Sequence, residues 1–314
     1  MLAARHVSAA VVSILLTSGP ASAVEGSGGA ALTTINADSA YPEGPSVVNG
    51  ILYYAEMGND RVMRFDGAVN SVVWTREGCG PTTVLPIGEG SLAVLCHREE
   101  AVVRISPGGE EIEVVDRDRD GRRFSNPNAG TADGKGGIYF SSSGSFSPGA
   151  RPTGAILHLD ASGVLTRVAE GIHYANGVAL SPDRRRLYAS EHLERRVLAY
   201  DVAADGTLSN RRIFVSLDDL GVADPERTWE VGPDGLNVDR HGNVIVAEYG
   251  AGHLLVISGD AALVATIPVP ERYVTASAFD ATETHLFITA PASLMDPSRG
   301  AVYVTQYPLG DADE

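Results

Sequence analysis

The chain has 314 residues and a net charge of −16 at pH 7, from 24 basic and 40 acidic side chains. An acidic balance of this size, with no basic stripe interleaved with aromatics, excludes a nucleic-acid backbone as partner and suits a soluble exported protein. Beyond the N-terminus no segment approaches the ~20 apolar residues of a spanning helix, and the length fits either two average domains or one repetitive all-β domain.

In chain order, Arg5 supplies a positive start, Val7 to Leu16 an apolar run, and Ala21-Ser22-Ala23 a small-residue cleavage pattern. A cleaved signal peptide is predicted over 1–23, with a secreted or periplasmic product that meets no membrane after cleavage. Residues 24–39 follow as an extension or a strand that closes the domain expected over 40–310. Cys79 and Cys96 then flank two short strands, Thr82 to Pro86 and Ser91 to Leu95, whose antiparallel pairing brings both to one end. A disulfide and two buried thiols both fit that placement, whereas two cysteines without matching histidines do not make a zinc site.

One pattern organises the rest: a turn-prone polar residue, a short apolar strand, a turn rich in Asp and Gly, and a second strand of aromatic and β-branched residues. It reads "EGPSVVNGILYYAE" from Glu43, "NAGTADGKGGIYFSSS" from Asn128, "NGVALSPDRRRLYASE" from Asn176 and "DGLNVDRHGNVIVAEY" from Asp234, with weaker copies from Thr82 and Ala276. Third strands such as "RVMRFDG" (Arg61) and "AILHLDASG" (Ala155) follow, then shorter outer runs such as "RRIFVSL" (Arg211). Alternating apolar residues closed by Asp-Gly or Ser-Gly turns are hairpin signals. Four short antiparallel strands per ~40 to 50 residues, repeated six times, predict an all-β, six-bladed β-propeller around a central channel. A β-sandwich also has many short strands, but would not repeat the same pattern six times.

In a propeller the opening residue of each inner strand lies on one face of the disc, so repeat position becomes spatial convergence. That position holds Glu43, Thr82 or Thr83, Asn128, Asn176, Asp234 and Ala276. Two carboxylates and two amide carbonyls, with waters, suit one divalent cation: Ca²⁺ first, then Mg²⁺ or Mn²⁺, with Zn²⁺ disfavoured by the lack of His and Cys. A lone Asn-Gly or Asp-Gly would be read as a turn. Four such positions in register are read as a site.

The stretches "YPEGPSV", "NPNAGTADGKGGIYF", "ANGVALSPDRRRLY", "GPDGLNVDRHGNVIVAE" and "VTASAFDATETHLFIT" resemble, in order, the signatures of the SMP-30/gluconolactonase/LRE-like propellers, over about residues 40 to 305. The resemblance implies that Glu43, Asn128, Asn176 and Asp234 surround the metal, that the metal polarises a substrate oxygen, and that Asp234 is the catalytic carboxylate, as base toward water or as nucleophile. Two departures stand out. Ala129 follows Asn128 where gluconolactonase-like members usually read "PND", and Phe140-Ser141-Ser142-Ser143 replaces "FTDP". Both remove an acid near the mouth, which alters how the hydroxyls of a sugar lactone would be held.

His97, His173 and His192 fall near strand ends that face the same mouth, where a histidine can hold a substrate oxygen or act as an acid. Ser142, Tyr174, Arg151 and Glu191 are further candidates for substrate contact; Glu191 reads equally as a solvated strand-end charge. No G-x-S-x-G elbow is present; "SSSGSFSPG" from Ser141 reads as a loop over the channel. "DRDRDG" from Asp116 lacks the closing Glu of an EF-hand, with Pro127 in its place.

The expected function is a monomeric metal-dependent hydrolase opening a small lactone or related ester. A metal-dependent isomerase, lyase or cyclase on the same scaffold and a non-catalytic binding propeller with a structural ion are the rival readings.

Overall fold

The computed structural model describes residues 31–309 apart from Glu89 and Pro225. The signal peptide expected over 1–23 lies outside the described residues.

Six four-stranded antiparallel sheets follow one another along the chain. Their inner strands, Pro42–Val48, Pro81–Ile87, Pro127–Ala132, Ala175–Leu180, Gly232–Val238 and Ala276–Phe279, each abut the next, and the last meets the first. This is the six-bladed β-propeller read from the repeat.

The second strand of each blade is buried on both faces, which is why these strands read as continuous apolar runs. In the first blade Tyr53 and Ala55 pack against Val84, Leu92 and Val94 of the second. Their neighbours Leu52 and Tyr54 face the other way, against Phe287, Val302 and Val304 of the sixth. Alternation along one strand therefore serves two cores. Four further clusters repeat this arrangement between the remaining blades, each joining two consecutive sheets.

Ring closure uses the N-terminal strand Thr33–Asn36, which pairs antiparallel with Gly300–Gln306 as the outer strand of the sixth blade. Side chains fasten this seam. Asn36 Nδ2 donates to Tyr54 Oη at 2.8 Å, Tyr54 Oη to Asn70 Oδ1 at 2.8 Å, and Asn70 Nδ2 to Ile35 O at 2.7 Å.

A second seam recurs at the end of the second strands. Glu56, Glu191 and Glu248 occupy equivalent positions, opposite Pro42, Ala175 and Pro233. Each meets a basic side chain five residues on: Arg61 at 2.6 Å, Arg196 at 2.7 Å and His253 at 2.6 Å. In the second blade the same position, opposite Pro81, holds Cys96, which forms a disulfide with Cys79 across a Cα separation of 4.6 Å. In the third it holds Ser142, whose Oγ donates to Ser125 O at 2.7 Å. The same corner is thus fastened by an ion pair, a covalent bond or a hydroxyl.

Candidate active site

The inner strands do not pair evenly at their first residues. Register jumps from Pro127 opposite Ser142 to Gly130 opposite Phe140, leaving Asn128 and Ala129 against one partner. The same excess falls on Asn176 and Gly177 in the fourth blade and on Asp234 and Gly235 in the fifth. In the first blade it follows Glu43 directly. A bulge re-aims a side chain that regular pleating would send into the sheet. In these four blades it delivers one polar side chain each to the channel.

The glycines after these residues are not turn residues. A Cβ on Gly177 would come within 2.2 Å of Asp234 O, and one on Gly235 within 2.6 Å of Thr275 O. At these two positions adjacent inner strands approach so closely that only glycine fits, whereas the third blade carries Ala129 after Asn128. Hydroxyls then lock blade to blade: Thr83 Oγ1 donates to Asn128 O at 2.7 Å, Ser190 Oγ to Asp234 O at 2.7 Å and Thr275 Oγ1 to Pro42 O at 3.0 Å.

Glu43, Asn128, Asn176 and Asp234 line one cavity of about 130 Å³, together with Thr82, His97, Tyr174 and His192. Four other proposed contacts lie off it. Glu191 is clamped between Arg196 and Arg211 at 2.7 and 3.2 Å, and also accepts from His173 N at 2.9 Å. His173 pairs with Glu194 at 2.9 Å, and Ser142 with Ser125. Arg151 is exposed. The cavity also takes in Tyr41, Met57, Phe146, Tyr249 and Leu294, which the repeat reading passed over. Tyr41 had a signal: it stands two residues before Glu43, as Tyr174 stands two before Asn176. Both are left-handed, with φ of 49° and 61°, a conformation costly for a bulky residue and concentrated at functional sites.

Glu43 and Asp234 are 8 % and 6 % exposed and form no ion pair among the described residues. No Lys or Arg lines the chamber. Burial raises the Glu43 carboxyl well above the usual range, and the neighbouring Asp234 charge adds to it, against hydrogen bonds from Gly44 and Thr275. Burial likewise raises Asp234, offset only in part by the Asn176 amide and the Gly235 N–H.

The two histidines are held by carbonyls, which fixes their tautomers. His97 donates its Nδ1–H to Pro127 O at 3.2 Å. Burial lowers its pKa to about 4, so the ring is neutral near pH 7 and Nε2 keeps its lone pair. His192 donates Nε2–H to Glu230 O at 2.8 Å and turns the bare Nδ1 toward Asn176 Nδ2, at 3.5 Å. This orients the Asn176 amide. Its Oδ1 is left buried and without a hydrogen-bond partner among the described residues. A buried acceptor in that state is open to an ordered water or a bound ion.

Fold and mouth together define a six-bladed propeller with a buried, oxygen-rich chamber at one end of its channel. The chain belongs to the SMP-30/Gluconolactonase/LRE-like family, whose pattern it matches over residues 41–292. It is 28% identical over 187 residues to an L-arabinolactonase of Azospirillum brasilense, an alignment covering 57% of this chain and 59% of that protein, short of two thirds of its length. It is 26% identical over 257 residues to a pentonolactonase of Haloferax volcanii, covering 79% of this chain and 80% of the other. Among solved structures, a gluconolactonase of Xanthomonas campestris superposes with a TM-score of 0.72 at 25% identity, covering 88% of this chain and 90% of its own.

Proposed function

We propose that the protein is a hydrolase of lactones or related esters, with a divalent cation, calcium foremost, held by Glu43, Asn128, Asn176 and Asp234. The observation that carries this is the unpartnered Asn176 Oδ1 beside two buried carboxylates that lack any cationic side chain. The donors are all oxygen, the chemistry of a hard cation. When bound, the cation supplies Lewis-acid polarisation of the acyl oxygen and offsets negative charge developing there. The relatives' names, each a lactonase, support the same reaction class.

The chain's own groups then have distinct tasks. Asp234 accepts a proton from the water whose oxygen adds to the acyl carbon. The acyl carbon–oxygen bond to the leaving alcohol breaks, and that proton is returned to the leaving oxygen, so lactone and water give one hydroxy acid. His97, neutral with a free Nε2 lone pair, is a second acceptor on the same wall. The enclosing tyrosines and Phe146 exclude bulk water, which strengthens every charge interaction inside. The disulfide supports export to an oxidising compartment, since such bonds persist outside the cytoplasm.

The test is acid release from a panel of lactones in a pH-stat, before and after exhaustive chelation, with products analysed from heavy-oxygen water. Turnover that stops on chelation and returns with calcium, with solvent oxygen in the product carboxylate, supports the proposal. Undiminished turnover after chelation, or product without label, overturns it.

A further inference from the structure

The chamber wall above the carboxylates bears on which ester enters. Tyr41, Met57, Phe146, Tyr174, Tyr249 and Leu294 supply most of it. Two of the three wall hydroxyls are engaged with each other. Tyr41 and Tyr249 share a hydrogen bond of 2.8 Å between their hydroxyls. Thr82 Oγ1 donates to Leu95 O and Pro127 O, and His97 and His192 each spend their one N–H on a backbone carbonyl. A polyhydroxylated ring entering here would lose water from its hydroxyls and find few partners beyond the metal-ligand oxygens, the Tyr174 hydroxyl and His97 Nε2, a loss that disfavours it.

The aromatic surface also extends outward. Phe146 comes from the loop after the second strand of the third blade. Its ring lies 4.7 Å from Tyr174, 5.3 Å from His192 and 5.1 Å from Trp229. Trp229 is 47% exposed, and Met295, next to the wall residue Leu294, is 88% exposed. Large apolar side chains left in solvent beside a cavity mark a contact surface for an apolar ligand. Beside the chamber lies an open cavity of about 540 Å³ that shares His97, Phe146 and Tyr174 with it and is otherwise polar. Phe146 therefore stands between the enclosed chamber, aromatic on one side and lined by oxygen donors on the other, and a wetter outer cavity.

We infer that the substrate is an apolar lactone or aryl ester with few or no hydroxyl groups, its flat ring stacked on Phe146 and Tyr174, unlike the sugar lactones in the relatives' names. This rests on the hydrolase reading above and specifies its substrate.

Binding and turnover separate the two. Calorimetric titration of the calcium-supplemented protein compares two lactams that resist hydrolysis, 3,4-dihydroquinolin-2-one and gluconolactam. The aryl lactam should bind at least about 30-fold more tightly, and Phe146→Ala should weaken it about tenfold while leaving calcium binding unchanged. Equal or tighter binding of gluconolactam, or no measurable binding of the aryl lactam, overturns the inference. Hydrolysis of phenyl acetate, δ-decalactone and glucono-δ-lactone is followed in parallel. Preference for the gluconolactone defeats the substrate class alone; no turnover of any ester, with lactam discrimination intact, defeats the hydrolase reading alone.

Discussion

Asp234 and Glu248 lie in the same blade, on adjacent strands, Glu248 opposite the residue just before Asp234, and both are buried. Glu248 meets Arg195 at 2.9 Å and His253 at 2.6 Å. Burial alone would raise its pKa, but the His253 hydrogen bond and the charges of His253 and Arg195 outweigh it and hold the carboxyl below the usual range. Asp234 has no such partner and is driven the other way. One ring of carboxylates is thus finished by the protein; the other is left unfinished, and in the proposed function it holds the cation.

The largest expected effect breaks the unfinished ring. Asp234→Asn keeps the shape but removes a charge and a proton acceptor, and lactone turnover should fall about 10²- to 10⁴-fold, with urea unfolding unchanged or shifted toward higher stability because a buried unpaired acid is gone. Glu248→Gln should do the reverse. It removes a charged partner from Arg195, which keeps Asp218 and Val231 O, and from His253, and should cost about 1–3 kcal/mol in urea unfolding, with turnover per folded molecule nearly preserved. Because its folded pKa is depressed, the Glu248 contribution is complete above the ordinary carboxylate range and is lost as pH falls through the folded value. Unfolding midpoints measured from pH 6 downward should therefore converge for wild type and Glu248→Gln.

Reducing the bond between Cys79 and Cys96, 17 residues apart, should cost about 3 kcal/mol by the loop-entropy account, read as a lower unfolding midpoint in reductant. Equal midpoints would show that the second blade does not need its version of the corner. The smallest effect is expected at His192→Ala. It should weaken calcium binding about tenfold by freeing the Asn176 amide to rotate, with the fold's circular dichroism unchanged.

The architecture was legible because every blade repeats one pattern, so six chamber-facing positions could be placed in register without coordinates. Asn128, Asn176, Asp234 and Glu43 meet in the structure for that reason. Their glycines were open to a turn reading, and only the 2.2 Å approach of a Gly177 Cβ to the next blade shows that packing demands them. Glu191 was weighed as a substrate-facing acid, yet the spacing of five residues from Glu to a basic side chain recurs at Glu56 and Glu248 and marks a blade corner. Phe146 and Leu294 arrive on loops that differ from blade to blade, so no register argument reaches them. The resemblance pointed to the four oxygen-bearing side chains, whereas the wall residues beside them, apart from Tyr249, lie outside the strands of the repeat.

The central claim is that the four oxygen-bearing side chains form an unfinished cation site. Its most direct measurement is calorimetric titration of chelator-stripped protein with calcium, alongside Asp234→Asn. One equivalent bound by the wild-type chain, tightening as pH rises from 5 to 8 because two raised carboxyls must ionise, and at least about tenfold weaker binding in the variant are predicted. No binding heat, or equal affinity in the two proteins, would contradict the account.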